Sequence, residues 1–210
     1  MAAASPSSID RQWFIVGRWQ EYEGESRANL LRIVALGVFY AIQLIQYYGF
    51  SAQTEADQKF HTGVTTLAIA WTLLAVAVML CLKRRIFPAA LKYVSTLVDV
   101  CLLTAAATLA DSPATVPFIM AYFLIIAMAG LRFSIPLVWF AAGMSMLAYV
   151  YLVGATDDSW FDANHAVPVS QQLVVLASLG LTGILLGQIL RRVRTLAEDF
   201  ARRLRAHGEG

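Results

Sequence analysis

Of the sixteen Lys and Arg residues, all but Lys59 fall on one side of a membrane when the chain is threaded through it six times. The threading follows six apolar runs: residues 30–48, 64–82, 89–109, 116–131, 135–153 and 169–190. Most are near the ~20 residues a helix needs to cross a hydrocarbon core of ~30 Å. With the N-terminus inside, the inner segments hold Arg11, Arg18, Arg27, Arg32, Lys83, Arg84, Arg85, Lys92 and Arg132, together with Arg191, Arg192, Arg194, Arg202, Arg203 and Arg205. Cationic side chains resist translocation, so both termini are expected in the cytoplasm. The predicted fold is all-α: a polytopic, multi-pass protein of the cell inner (plasma) membrane, with six transmembrane helices, N-in and C-in, and a cytoplasmic C-terminal helix.

With 59% hydrophobic and 14% charged residues, little of the chain remains for a soluble domain once six spans are subtracted. The net charge of +2 reflects sidedness and attraction to anionic lipid, so the bilayer is the expected partner and nucleic acid is not. The chain divides into a cytoplasmic tail over residues 1–28, a transmembrane domain over 29–190 and a cytoplasmic helix over 191–210. No cleavable signal is expected, because the apolar cluster at residues 13–17 is too short and acidic residues follow it.

In the tail, Ile9, Trp13, Val16 and Trp19 recur at helical spacing, which predicts a short amphipathic helix lying in the interface. The first span carries Gln43 and Gln46 and ends in Tyr47, Tyr48 and Phe50, an outer aromatic belt. Gln43, Gln46 and Tyr47 are the candidate cavity residues. Ser134-Ile135-Pro136 restarts the chain after a very short inner link, making the fourth and fifth spans antiparallel neighbours. The sixth span runs into Arg191-Arg192-Val193-Arg194 with no Pro or Gly between, and Val193, Ala197, Phe200 and Leu204 continue an apolar stripe. A helix is therefore predicted to about His207. Its stripe needs cover from a second copy or a cytoplasmic partner.

Asp99 is the one ionisable residue deep inside a span. A carboxylate there costs roughly 2.5–3.5 kcal/mol on insertion scales, so Asp99 should face the interior and find donors. With no cation at its depth it is expected to be protonated. Ser95, Thr96, Thr104, Gln43, Tyr40, Tyr122, Ser145 and Ser178 are candidate donors. Two readings stand: a switch or relay residue, and a neutral carboxyl pinning helices together. Gly183 and Gly187 form a small-xxx-small pair above the arginine run, which points to a dimer seam down the sixth helix, while packing inside one bundle gives the same composition.

The motifs of several enzyme classes are missing. No nucleophile elbow, phosphate loop or kinase motif occurs, and no Glu-x-x-His or His-Glu-x-x-His supplies metal ligands at helical spacing. Cys81 and Cys101 read as packing residues inside spans. His61 and His165 lie in outer loops, weak candidates for a metal or pH site, and more simply two solvated histidines. No cofactor and no enzymatic activity are expected of this chain.

Three stretches carry a resemblance: Leu31-Arg32-Ile33-Val34-Ala35-Leu36; Lys92-Tyr93-Val94-Ser95-Thr96-Leu97-Val98-Asp99; and Tyr122-Phe123-Leu124 through Gly130-Leu131-Arg132-Phe133. With the cytoplasmic tail, six spans and projecting helix, the chain resembles the six-helix membrane input domain of bacterial sensor histidine kinases and membrane-anchored class III nucleotide cyclases. The resemblance implies a projecting helix that hands a conformational change to a kinase or cyclase. No phosphoacceptor helix or cyclase core follows here, so that output is expected on a further segment or another polypeptide.

The expected function is a membrane sensor or regulatory input module, acting as a homodimer. It would relay a shift caused by a small ligand or by the bilayer through Val193, Phe200 and Leu204. A small ion- or proton-coupled transporter or channel using Asp99, and a structural subunit of a membrane complex, are the alternatives.

Overall fold

The computed structural model describes residues 6–50, 54–84, 88, 90–110, 116–156 and 168–208, with side chains described over 22–50, 54–84, 88, 90–110, 118–154 and 168–199. Among them are six helices and no strand: α1 (Pro6–Gly49), α2 (Glu55–Lys83), α3 (Leu91–Thr108), α4 (Val116–Leu131), α5 (Ile135–Thr156) and α6 (Val169–Gly208). The chain forms two compact units. The first is Met1–Ser95 with Leu131–Phe133; the second is Thr96–Gly130 with Ser134–Gly210.

One expectation changes. Over residues 6–28 no separate interfacial helix forms, because α1 runs unbroken from Pro6 to Gly49. Gly24 in that stretch is supported by packing: a Cβ there would lie 3.0 Å from the Arg132 Cα. Of the six expected spans, α4 is the short one. Five helical stretches are long and apolar enough to cross a membrane, Tyr22–Gly49, Glu55–Lys83, Leu91–Thr108, Ile135–Gly154 and Val169–Asp199. The 16 residues of α4 reach only about 24 Å at 1.5 Å per residue.

In the first unit α1 and α2 are antiparallel, as the pairings Tyr47 with His61, Tyr40 with Thr65 and Asn29 with Ala75 show. The Tyr40 and Thr65 hydroxyls lie 3.2 Å apart, and Asn29 Nδ2 donates to the Ala75 carbonyl at 3.1 Å. Thr54 caps α2 with a reciprocal box: Thr54 Oγ1 accepts from Asp57 N–H at 3.2 Å, and Asp57 Oδ2 accepts from Thr54 N–H at 3.1 Å. Both orphan amides are thereby satisfied.

The outward faces of this hairpin are apolar. Leu30, Ile33, Val34, Val38, Phe39, Ile42 and Ile45 stand exposed on α1, and Ile69, Leu73, Val76, Met79 and Leu80 on α2. Water does not tolerate so long an apolar face on a soluble monomer; hydrocarbon does. The threonines obey the same constraint. Thr62, Thr66 and Thr72 each donate to the carbonyl four residues earlier at 2.8–2.9 Å, so no hydroxyl needs solvent.

In the second unit α4 is the interior helix, with Ile119, Tyr122, Ile125, Ile126, Met128 and Ala129 buried. Its Tyr122 hydroxyl meets Thr104 Oγ1 of α3 at 2.8 Å, and Thr104 also donates to the Val100 carbonyl. Three residues join α4 to α5, and Phe133 among them sits at φ 49°, a left-handed conformation uncommon for a bulky residue. The 40 residues of α6 continue without interruption from the apolar segment through the arginine run to Gly208.

Candidate functional site

The first unit is locked by a buried ion pair. Glu25 of α1 is 1% exposed and Arg132, just past α4, is 6% exposed. Arg132 Nη2 donates to Glu25 Oε1 at 2.9 Å, and Nε lies 2.8 Å from Oε2, off the axis of its N–H but close enough to pair. Nη2 also donates to Ser95 Oγ at 3.1 Å and Nη1 to the Lys92 carbonyl at 2.9 Å. One guanidinium thus ties together α1, the start of α3 and the α4–α5 link. Its planar fork of donors suits that task, and a lysine could not cover it. A second polar layer lies two turns along α1, where Arg32 Nη1 donates to Asn29 Oδ1 at 2.7 Å.

Sequence reasoning read Arg132 as a charge held on the inner side and gave Glu25 no role, and so missed this cluster. A signal was present. Glu25, Ala28, Asn29 and Arg32 follow steps of three and four, a polar stripe leading into an apolar span.

At the other end of the hairpin, beside the α1–α2 turn, a cavity of about 160 Å³ is lined by Gln43, Gln46, Tyr47, Phe50, Asp57 and Phe60. The candidate cavity residues Gln43, Gln46 and Tyr47 share this one space, and α2 adds Asp57 and Phe60. His61 stacks on the Tyr47 ring with centroids 4.0 Å apart and planes 7° apart, and Tyr48 meets Tyr47 edge-on at 5.0 Å. The His61 Nδ1 is buried and has no hydrogen-bond partner among the described residues.

The glycine pair of α6 is not an open seam. A Cβ on Gly183 would stand 2.7 Å from the Ala142 Cβ, and one on Gly187 would stand 3.7 Å from Trp139 Nε1. Gly180 faces the Met146 sulfur at 3.7 Å in the same way. The face expected to pair with a second copy is therefore covered by α5 of its own chain. Small residues let two backbones approach, and the nearest backbone here is the preceding helix.

Asp99 is buried, 2% exposed, and does not stand without a partner. Several of its expected donors are engaged elsewhere: Ser95 with Arg132, Thr104 with Tyr122 and Tyr40 with Thr65. Ser145 and Tyr149, one turn apart on α5, are buried with hydroxyls that lack a partner among the described residues.

At the far end of α6, residues 191–199 are exposed, including Val193 at 44% and Leu196 at 62%. The side chains of Phe200 and Leu204 lie outside the described residues, as does His165. Among the described residues no three His, Cys, Asp or Glu side chains converge on a metal site. Cys81 and Cys101 are free thiols.

These features define a class, a helical protein whose apolar surface and helix lengths fit a membrane. No family model, curated protein or solved structure matches the chain.

Proposed function

We propose that this chain is a membrane-embedded sensor or regulatory module that passes a small helix displacement to the arginine-rich end of α6. The observation that carries the reading is the continuity of α6. Its apolar stretch is keyed into α5 by the Gly183–Ala142 approach and runs without a break into an exposed segment. A rigid helix gripped at one end transmits translation and rotation to the other, and shifts of ~1–2 Å suffice in known switches.

A physical route reaches that grip. The cavity lies on α1 and α2, α1 is tied through Glu25 to Arg132, and Arg132 lies two residues before Ser134, where the chain enters α5. Both termini face the cytoplasm in this reading, with α4 completing six crossings as the short interior helix. The exposed Val193 and Leu196 beside Arg191, Arg192 and Arg194 form the docking face for an output partner, a kinase or cyclase by the resemblance noted above.

The test inserts one to four alanines between Leu190 and Arg191 in a fusion to a cyclase reporter. Each residue turns the downstream helix by about 100° and advances it by about 1.5 Å. A relay makes output vary with insert length and return towards its starting level at four residues. Equal output at every length overturns the relay and leaves a passive anchor. The second reading, proton-coupled transport, is favoured by the buried Asp99; proton flux in proteoliposomes that vanishes in Asp99→Asn would establish it instead.

A further inference from the structure

We infer that one face of α6, where Arg191 and Arg192 follow Leu181, Ile184 and Leu185, is a binding site for a phospholipid with a net negative headgroup. Leu181, Ile184, Leu185, Gln188, Arg191 and Arg192 stand at i, i+3, i+4, i+7, i+10 and i+11, which stacks them on one side of the helix. All six are exposed, Leu181 at 57% and Leu185 at 61%. The face changes character along its length as a phospholipid does: apolar first, then an amide, then two guanidinium groups.

Depth agrees with that match. From Val169 to Leu190 α6 rises about 33 Å at 1.5 Å per residue, close to the ~30 Å of a hydrocarbon core. Arg191 and Arg192 therefore emerge among headgroup phosphates, whichever leaflet they enter. Trp139 of α5 marks nearly the same level. Its ring nitrogen stands 3.7 Å from the place of a Cβ on Gly187, and the residue is half exposed. Indole rings favour that boundary.

Charge selects the lipid. Neither guanidinium has a hydrogen-bond or ion-pair partner among the described residues, and Thr195 in the next turn gives its hydroxyl to the Arg191 carbonyl at 3.1 Å. The acidic residues that follow, Glu198 and Asp199, come about 10 Å further along the axis. Two open guanidinium forks suit phosphate oxygens. A choline headgroup brings a cation of its own against them, whereas a phosphatidylglycerol headgroup brings none.

The same features exclude other occupants. Leu181 to Leu185 lie within the spanning stretch, so the occupant is amphiphilic and resides in the bilayer. A second copy laying this face on its own would bring four arginines together. Val193 stands about 100° around the helix from Arg192, so a lipid here leaves it open to an output partner.

The inference needs the bilayer but not the relay, and lipid binding is read apart from output. The full chain in maltoside micelles is titrated with phosphatidylglycerol or with phosphatidylcholine of the same acyl chains, and bound lipid is counted by native mass spectrometry. One phosphatidylglycerol is expected to bind at least tenfold more tightly than phosphatidylcholine. Arg191→Gln with Arg192→Gln should weaken it at least tenfold, since each arginine beside an anionic surface contributes about fivefold. Arg202→Gln with Arg203→Gln removes the same charge three turns further along α6 and should change affinity less than twofold. Glutamine matches arginine in helix propensity, so neither pair disturbs the helix. Equal affinity for the two lipids, or equal losses in the two double variants, overturns the site. Displacement of phosphatidylglycerol by millimolar inorganic phosphate overturns it too, in favour of a site for a free anion. Any of these failures leaves the relay standing, because the alanine insertions test that separately.

Discussion

Adding a single methyl group at Gly183 should force α5 and α6 apart. A Cβ at that position would lie 2.7 Å from the Ala142 Cβ, whereas carbon atoms in good contact stand about 3.5–4.0 Å apart. The helices must therefore separate by roughly 1 Å, since neither Cβ can rotate away. Overpacking of this kind costs about 1–3 kcal/mol. The higher helix propensity of alanine returns about 1 kcal/mol, so Gly183→Ala is expected to be a net loss of up to about 2 kcal/mol.

The two neighbouring glycines provide internal controls. A Cβ at Gly187 meets Trp139 Nε1 at 3.7 Å, and one at Gly180 meets the flexible Met146 sulfur at 3.7 Å. Both are ordinary contacts, so alanine there should be neutral or slightly stabilising. SDS-induced unfolding in mixed micelles should rank Gly183→Ala below the unsubstituted chain and Gly187→Ala level with it. The reciprocal pair Ala142→Gly with Gly183→Ala moves the methyl group across the interface and should recover most of the loss. A fully stable Gly183→Ala, or a pair no better than the single change, would refute the close approach.

Glu25→Gln should destabilise the first unit by about 3–5 kcal/mol because it leaves the buried Arg132 charge unpaired, whereas Glu25→Met with Arg132→Met should restore much of that; SDS unfolding reads both. Thr54→Val removes the capping box and should cost about 1 kcal/mol, seen as faster amide exchange confined to the first turn of α2. Tyr149→Phe deletes a buried hydroxyl that has no partner among the described residues and should hold or raise stability by about 1 kcal/mol; a clear loss would reveal a hydrogen bond. For sidedness, a cysteine at Lys59 should react with an impermeant maleimide from outside intact cells, and one at Leu196 only after the membrane is opened. Labelling of both from outside would dispose of the proposed orientation.

The helices were legible because hydropathy and the placement of Pro, Gly and Arg are local properties. Arg191 to Leu204 contain no breaker, and α6 runs through them to Gly208. The length of α4 was readable too, since the apolar run over 116–131 and the helix Val116–Leu131 share their bounds. At the cavity, Gln43 and Gln46 stand out as carboxamides in an apolar run, whereas Asp57 and Phe60 reach them only because α2 folds back antiparallel.

Pairing across the fold was not legible. In water an apolar face marks the core, so periodicity reveals which side of a helix is buried. Lipid removes that contrast: Ile42 faces outward and Ile126 inward, and both are equally apolar. Gly183 could thus be read as the contact for a second copy when its partner is Ala142 of its own chain. Glu25 and Arg132 are 107 residues apart, and no local rule joins them. The sequence by itself determined which segments become helices, because the cost of dehydrating peptide groups acts on each segment alone. Tertiary structure decided which helices touch and which polar groups meet, because those energies exist only between segments.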